Sequence, residues 1–272
     1  MRLGAALATL RALGADVSLH RPDSAASARA HMHELAGDVE RIVVVGGDGM
    51  VHHAANALVG TSTVLGIVSA GTGNDAVTSL GLSDDVDESA RAAMRDPVAI
   101  DLIESRAGLA VTVATAGFSA SVTDRANEMS RIKGGAKYTL SALIELPRLQ
   151  PHVMEMTLDG VEHEIEANLI AVANTRYFGG GMEIAPDARL NNGELDVVVI
   201  GPASRAVFAA VLPTVFSGRH VKSRHVTVHR ASKIELAGAD LDLRADGEHY
   251  GSLPAKFTVR QQALLVAGAV IA

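Results

Sequence analysis

Residues Arg41-Ile42-Val43-Val44-Val45 form an almost unbroken β-branched run that ends in Gly46-Gly47-Asp48-Gly49. Without polar alternation, such a run fits a strand covered on both faces, as in parallel sheets. Val51, Ala54, Ala55 and Leu58 follow at helical spacing. A second apolar strand, Val64–Ser69, runs into Gly71-Thr72-Gly73-Asn74-Asp75. Strand, glycine turn and helix in alternation predict a parallel α/β sheet. Ligands bind beyond the carboxyl ends of strands in such sheets, so both glycine turns are expected along one crevice.

Glycines let a backbone approach a ligand closely and adopt positive φ. Their amides, together with a helix N-terminus, attract anions such as phosphates. Asp48 would repel a phosphate by itself and makes sense beside a magnesium ion, a hydroxyl or a ribose. A tight turn whose Asp caps the helix explains the tetrapeptide alone equally well. The two turns together supply glycine backbone, a hydroxyl, an amide and two carboxylates, the groups needed to hold Mg²⁺-ATP. Neither the G-x-x-x-x-G-K-[ST] phosphate loop nor the G-x-G-x-x-G dinucleotide fingerprint is present.

Ahead of these motifs, leucines at 3, 7, 10 and 13 predict a helix, residues 17–20 a short strand, and residues 24–35 a helix. Beyond Pro97 the pattern changes to strands at 99–104, 109–115, 152–158, 164–173, 195–200, 225–229, 233–236, 241–244, 255–259 and 264–266. Helices are expected at about 138–149 and 204–216. Strand after strand with turn signals between predicts a mainly antiparallel β-sandwich. The expected division is an α/β nucleotide-binding domain over 1–98 and a β-sandwich domain over 99–272.

Composition narrows the function classes. The net charge of −7 and the 3% aromatic content argue against a nucleic-acid binder. The absence of cysteine removes disulfides, thiolate zinc sites and Cys nucleophiles, and is compatible with a reducing cytoplasm. The N-terminus does not read as a signal peptide, and no apolar run approaches the roughly 18 residues of a membrane span. Any membrane contact is expected from one side. Among the eleven histidines, neither the 52/53 nor the 31/33 pair has chelating spacing, so surface or capping roles are expected.

Gly46-Gly47-Asp48-Gly49 followed by Gly71-Thr72-Gly73-Asn74-Asp75 resembles the catalytic domain of the diacylglycerol kinase and sphingosine kinase family. Lys133-Gly134-Gly135-Ala136-Lys137-Tyr138, Phe178-Gly179-Gly180-Gly181, Asn192-Gly193-Glu194-Leu195-Asp196-Val197 and Asp246-Gly247-Glu248 extend the resemblance over almost the whole chain. The resemblance implies a phosphofructokinase-like or NAD-kinase-like α/β domain, a β-sandwich and a site between them. It implies ATP and Mg²⁺ as cofactors and diacylglycerol or another long-chain lipid alcohol as acceptor. Gly46, Gly47, Asp48, Gly49, Met50, Thr72, Asn74 and Asp75 would face the nucleotide. Asp48 would work near the phosphates and metal, and Glu248 would be the general base. Considered alone, Asp246-Gly247-Glu248 reads as a hairpin turn with two solvated acids. A structural magnesium would take the backbone carbonyls of Arg189 and Glu194 and the Asn192 side chain. The implied location is cytoplasmic and peripheral at the inner membrane face, with a lipid partner, no nucleic acid, and a homodimer as one arrangement.

The chain departs from the family pattern in four places. It begins inside the first helix, after the family's first strand and Asn-Pro-x-(Ser/Gly)-Gly loop, which is expected to leave an apolar edge or face exposed. Met50 stands in place of Thr, Asn192 in place of Asp, and Ala76 in place of Phe. Two alternatives follow: an NAD-kinase-like enzyme, expected to carry Asn-Glu where this chain has Gly-Thr-Gly-Asn-Asp, and a catalytically silent lipid- or nucleotide-binding protein. Arg219, His220, Lys222, Arg224, His225, His229 and Arg230 form a basic stretch that could face anionic lipid. With no amphipathic helix evident beside it, a solvated face is the expectation.

Overall fold

The structure is a computed structural model that describes residues 2–129, 135–238 and 240–271. Helices α1 (Arg2–Ala12) and α2 (Ala25–Leu35) lead into β1 (Arg41–Gly46), α3 (Asp48–Leu58), β2 (Val64–Ser69), α4 (Asp75–Ser79) and α5 (Val86–Ala92). Next come β3 (Pro97–Ser105), β4 (Gly108–Ala110), β5 (Val113–Gly117), α6 (Phe118–Glu128) and α7 (Gly135–Glu145). Strands β6 (His152–Leu158), β7 (Val161–Ala167), β8 (Leu169–Ala173), β9 (Tyr177–Phe178), β10 (Met182–Glu183) and β11 (Leu195–Ile200) precede α8 (Arg205–Val211). The chain closes with β12 (Val226–Ala231), β13 (Lys233–Gly238), β14 (Asp242–Ala245), β15 (Glu248–Ser252) and β16 (Ala255–Ala267).

The N-terminal part is α/β and the C-terminal part is an antiparallel sandwich. β1 and β2 pair in parallel, Val44 opposite Ile67, and the apolar face of α3 packs on them through Val51, Ala54, Ala55 and Leu58. The sandwich sets β13, β6, β7 and part of β16 against a six-stranded sheet in the order β12-β11-β8-β5-β14-β15. Period-two alternation decides which side chains fill which layer. Ile170, Val172, Val197 and Val199 point between the sheets, while Leu169, Ala171, Val198 and Ile200 point to a second core that also holds Phe118, Ala142 and Phe208. Both faces of β11 are thus covered, which is why it reads as a continuous apolar run.

β16 joins the two parts. β3 pairs with it along both halves, while its first half also pairs with β13 and its second half lies parallel to β2, Val266 opposite Leu65. Ala263, Leu264, Val266 and Ala269 sit in the same core as α3 and β2. The expected boundary near residue 98 falls inside β3, and the last strand returns to the N-terminal core.

Several expected elements differ. Residues 17–20 form no strand, and β1 has only β2 beside it among the described residues. The strand expected at 109–115 is two strands, since the chain leaves one sheet for the other at Val111-Thr112. The 164–173 strand likewise breaks at Asn168, whose side chain donates to the Gly201 carbonyl at 2.9 Å while the chain changes sheets. The strands expected at 255–259 and 264–266 are one strand with an irregularity between Arg260 and Leu264. Helix α6 has no counterpart in the expected elements.

Candidate active site

The glycine turns meet where β1 and β2 end. None of Gly46, Gly47, Gly49, Gly71 and Gly73 has positive φ; the left-handed residue here is Asn74, at 55°. What demands glycine is contact. A Cβ on Gly71 would lie 2.5 Å from the Gly47 Cα, and one on Gly47 would lie 2.8 Å from the Gly71 Cα. The expected positive φ is therefore replaced by two backbones crossing at touching distance. Asp48 opens α3, and its carboxylate accepts the Ala76 amide at 3.0 Å, so it caps α4 from the neighbouring loop.

Asp75 crosses to the second domain. Its oxygens accept the amides of Gly180 and Gly181 at 2.8 and 2.7 Å. Gly179, Gly180 and Gly181 all have positive φ (60°, 81° and 100°), which curls their backbone into a nest around the carboxylate. Burial pushes Asp75 up to about 6, the nearby Asp48 adding to the rise. Burial likewise raises Asp48, against the opposing pull of the Ala76 amide. Both carboxylates reach the edge of Gly73, where a Cβ would lie 3.0 Å from Asp48 Oδ2 and 3.8 Å from Asp75 Oδ2.

The third element is the β14–β15 hairpin. Asp246 and Gly247 have φ of 52° and 85°, the two positive values that a type I′ turn requires. The hairpin reading of Asp-Gly-Glu is right about shape and about the exposed Glu248, and wrong about the solvation of Asp246. The Asp246 carboxylate is buried and accepts from Val111 N (2.9 Å), Thr112 N (2.8 Å), Thr112 Oγ1 (2.6 Å) and the His52 ring (Nδ1–Oδ2 2.8 Å). Burial alone would push it up, but the His52 ring, the Thr112 hydroxyl and the Val111 amide outweigh that and hold it below the ordinary carboxylate range. One turn further along α3, Asn56 exchanges hydrogen bonds with the Leu109 backbone at 2.8 and 3.0 Å. His52 and Asn56 thus fasten the helix of the first glycine turn to the domain that carries Glu248. Glu248 itself is exposed, and its Oε1 would stand 3.7 Å from a Cβ on Gly49.

These groups line one cleft of about 350 Å³ with two unlike ends. Gly47, Asp48, Gly49, Thr72, Asp75 and Glu248 form the polar end; Val113, Phe118, Val122, Leu169, Phe208 and Leu212 line the apolar end. A smaller apolar cavity of about 50 Å³ lies on the far side of Phe208 and Leu212. Tyr138 stands in the lining with its hydroxyl pushed up to about 12 by burial and then by Asp75, Asp48 and Glu248, so it is a neutral donor. Lys137 places its Nζ 5.0 Å from the Tyr138 ring centroid.

Of the expected nucleotide set, Gly47, Asp48, Gly49, Met50, Thr72 and Asp75 line the cleft. Gly46 and Asn74 stand behind it: a Cβ on Gly46 would meet the Met50 Cβ at 2.7 Å, and Asn74 donates to Asp84 at 2.9 Å. Arg189, Asn192 and Glu194 lie on an exposed turn outside the cleft lining, where the Asn192 side-chain oxygen accepts the Glu194 amide at 3.2 Å. That turn is held by buried Asp101, which accepts the Gly193 amide at 2.8 Å. Lys133 and Gly134 of the expected Lys-Gly-Gly motif lie outside the described residues. Missed in the sequence were His52, Asn56 and the α6 residues Phe118 and Val122. The signal for α6 was present, since Phe118, Val122 and Ala126 recur every four residues.

The Diacylglycerol kinase catalytic domain family matches residues 2–105, and the YegS C-terminal NAD kinase beta sandwich-like domain family matches residues 112–268. A diacylglycerol kinase of Mycobacterium tuberculosis (strain CDC 1551 / Oshkosh) is 36% identical over 274 residues, covering 96% of this chain and 87% of the relative. A diacylglycerol kinase of Bacillus subtilis (strain 168) is 28% identical over 251 residues, covering 90% and 83%. The solved structure of a diacylglycerol kinase from Bacillus anthracis str. Sterne superposes with a TM-score of 0.70 at 19% identity, covering 92% of this chain and 83% of that one. A second solved chain from that organism reaches a TM-score of 0.81 at 21% identity, covering 98% and 90%. Among the described residues no helix is long and apolar enough to cross a membrane. The chain belongs to the family of diacylglycerol kinases and YegS-like lipid kinases, which are phosphotransferases.

Proposed function

We propose that the chain transfers the γ-phosphoryl group of ATP to the hydroxyl of diacylglycerol or a similar long-chain lipid alcohol. The observation that carries this reading is the two-ended cleft. Glycine backbone and carboxylates stand at one end, an apolar wall at the other, and Glu248 beside the glycines. An amphipathic acceptor would lay its chain along Phe118, Leu169 and Phe208 and present its hydroxyl toward Glu248.

The residues at the polar end fit a divalent cation. Two carboxylates, both raised by burial, with Asp48 adding to the rise at Asp75, face each other across a glycine, and hard oxygen donors suit Mg²⁺. Asp48 and Asp75 would hold the ion, which would neutralise charge on the transferring phosphoryl group. Glu248 accepts the proton of the acceptor hydroxyl. The hydroxyl oxygen bonds to the γ-phosphorus as the bond to the β,γ-bridging oxygen breaks, and ADP leaves. His52 and Asn56 hold the two domains so that Glu248 stays over Gly49. Under the same proposal the backbone carbonyls of Arg189 and Glu194 and the Asn192 side-chain oxygen would hold a second, structural cation.

The test is incubation of the protein with Mg²⁺ and γ-labelled ATP against diacylglycerol, monoacylglycerol and sphingoid alcohols, with NAD in a parallel tube. Labelled phosphatidate or another lipid phosphate is the expected result. Label in NAD alone would replace the acceptor assignment, and tight lipid binding without ATP consumption would make the chain a silent binding protein.

A further inference from the structure

Helix α6 gives the cleft two stripes of opposite character. Phe118 and Val122 belong to the apolar wall. Beside them Ser119, Thr123 and Asn127 recur every four residues, and all three line the cleft. Arg244 on β14 meets this polar stripe from the sheet below. Its neighbours Leu243 and Ala245 fill the core between the sheets, so Arg244 points to the opposite face, the one that α6 covers. Thr115, its partner on β5, lines the cleft as well.

Two of these polar groups are left short of partners. The Arg244 side chain is 16% exposed, and its Nη2 donates to Asp124 on α6 at 2.6 Å. Its Nε is buried and has no hydrogen-bond partner among the described residues. Ser119 is 6% exposed, and its hydroxyl is likewise buried without a partner among the described residues. Asp124 stands outside the cleft lining and is occupied by the guanidinium. Leaving a buried donor unpaired costs free energy, and a folded chain keeps such groups where something else comes to meet them. Their place on the hairpin says what that is. Ala245 lies opposite Glu248, and Arg244 is the next residue inward, about 3.4 Å along the strand. A guanidinium thus stands one step from the turn that carries the proposed base, between that base and the interior of the cleft.

We propose that Arg244 and Ser119 form a subsite for the ester carbonyl of a glycerolipid acceptor, and so select esters over other long-chain alcohols. The proposal rests on the lipid-kinase reading and narrows its acceptor to one chemical class. In diacylglycerol an ester carbonyl stands a few bonds from the free hydroxyl. With the hydroxyl at Glu248, that carbonyl falls beside Arg244, and its acyl chain continues along Phe118 and Val122. The guanidinium donates to the carbonyl oxygen, and the Ser119 hydroxyl reaches it by rotation about one bond. A sphingoid base brings an ammonium to the same place, where the subsite offers donors and no free carboxylate. A site built to hydrogen-bond one group of its substrate rejects the analogue that lacks it.

The test compares dioctanoylglycerol with dioctylglycerol ether, which keeps the hydroxyl and both chains but lacks the carbonyls. The kcat/KM for each acceptor, dispersed as monomers, is measured with wild type, Ser119→Ala, Arg244→Met and Arg244→Lys. Binding of each acceptor without nucleotide is followed by the shift in melting temperature. Wild type should favour the ester by roughly tenfold or more, and sphinganine should be a poor acceptor. Arg244→Met should remove most of that preference, and Ser119→Ala should lower it by about threefold to tenfold. Arg244→Lys, which keeps a charge beside Asp124 but loses the guanidinium fork, should fall between wild type and Arg244→Met. The ester-to-ether ratio is read within each variant, so a general loss of stability does not move it. If neither acceptor is phosphorylated but the ester alone stabilises wild type, and Arg244→Met removes that, the subsite stands and the kinase reading fails. Equal kcat/KM for ester and ether in wild type would overturn the subsite. So would variants that lower both acceptors by the same factor, which would make Arg244 a support for α6 only. If Arg244→Met does not fold, the ratio in Ser119→Ala decides.

Discussion

Asp75 sets the sharpest expectation at the scale of single residues. Its folded value of about 6 lies above the ordinary 3.8. A raised carboxylate contributes stability that is complete below the unfolded value and is lost as pH rises through the folded one. Metal-free protein should therefore lose up to about 3 kcal/mol between roughly pH 4 and pH 7 from this group, at about 1.4 kcal/mol per pKa unit. Added magnesium should recover it, and Asp75→Asn should flatten the metal-free profile while phosphoryl transfer collapses. Melting curves across that range, with and without Mg²⁺, check this; a metal-free profile unchanged by Asp75→Asn would contradict it. His52 makes a second case. His52→Ala leaves the buried Asp246 carboxylate short of a partner, and the loss is expected to be about 1–3 kcal/mol of stability. Turnover should fall with little change in the KM for ATP, because Asp246 holds the Glu248 turn and touches no phosphate. His52→Asn, which can still donate, should recover part of both. Asp48 and Glu248 were legible as candidates because motif and chemistry agreed. Asp246 and His52 were not, because a 194-residue separation is invisible to local pattern.

At the scale of elements, the crossing of the two glycine turns explains why both need glycine. Gly71→Ala drives a Cβ to 2.4 Å from Asn74 Oδ1 and 2.5 Å from the Gly47 Cα. It should destabilise by about 1–3 kcal/mol, as overpacking does, and weaken ATP binding. Gly49→Ala meets nothing nearer than 3.7 Å, so its stability should stay within about 0.5 kcal/mol of wild type. Denaturant titration and ATP KM of the two variants check the contrast. Long apolar strands were readable for the same reason that they are stable: β2 and β11 are buried along their whole length. Breaks within strands were not, because Val111-Thr112 and Asn168 interrupt apolar runs only where the chain changes sheets. Residues 17–20 show the converse, a strand-like sequence that forms no strand among the described residues.

For the whole molecule, β16 decides how the two parts behave together. One strand is hydrogen-bonded to β2, β3 and β13, and its ends sit in different cores. The chain should therefore unfold as one unit. Phe257→Ala, at a fully buried position in the sandwich, should cost about 3–5 kcal/mol and lower hydrogen-exchange protection in β2 as well as in β13. Protection lost in β13 alone would mean that the two parts open independently. The two-domain outline was legible from the change in pattern near Pro97, but the return of the last strand was not, since residues 264–266 carry no mark of the partner they join.

The central claim is that Glu248 accepts the proton of a lipid hydroxyl while the glycine turns hold ATP. The measurement that reaches it most directly is lipid phosphorylation by Glu248→Gln beside wild type, with the ATP affinity and the melting temperature of both determined. The account predicts a kcat lowered by roughly a hundredfold to ten-thousandfold, with ATP affinity and melting temperature kept. A Glu248→Gln protein that phosphorylates the lipid at the wild-type rate would contradict it.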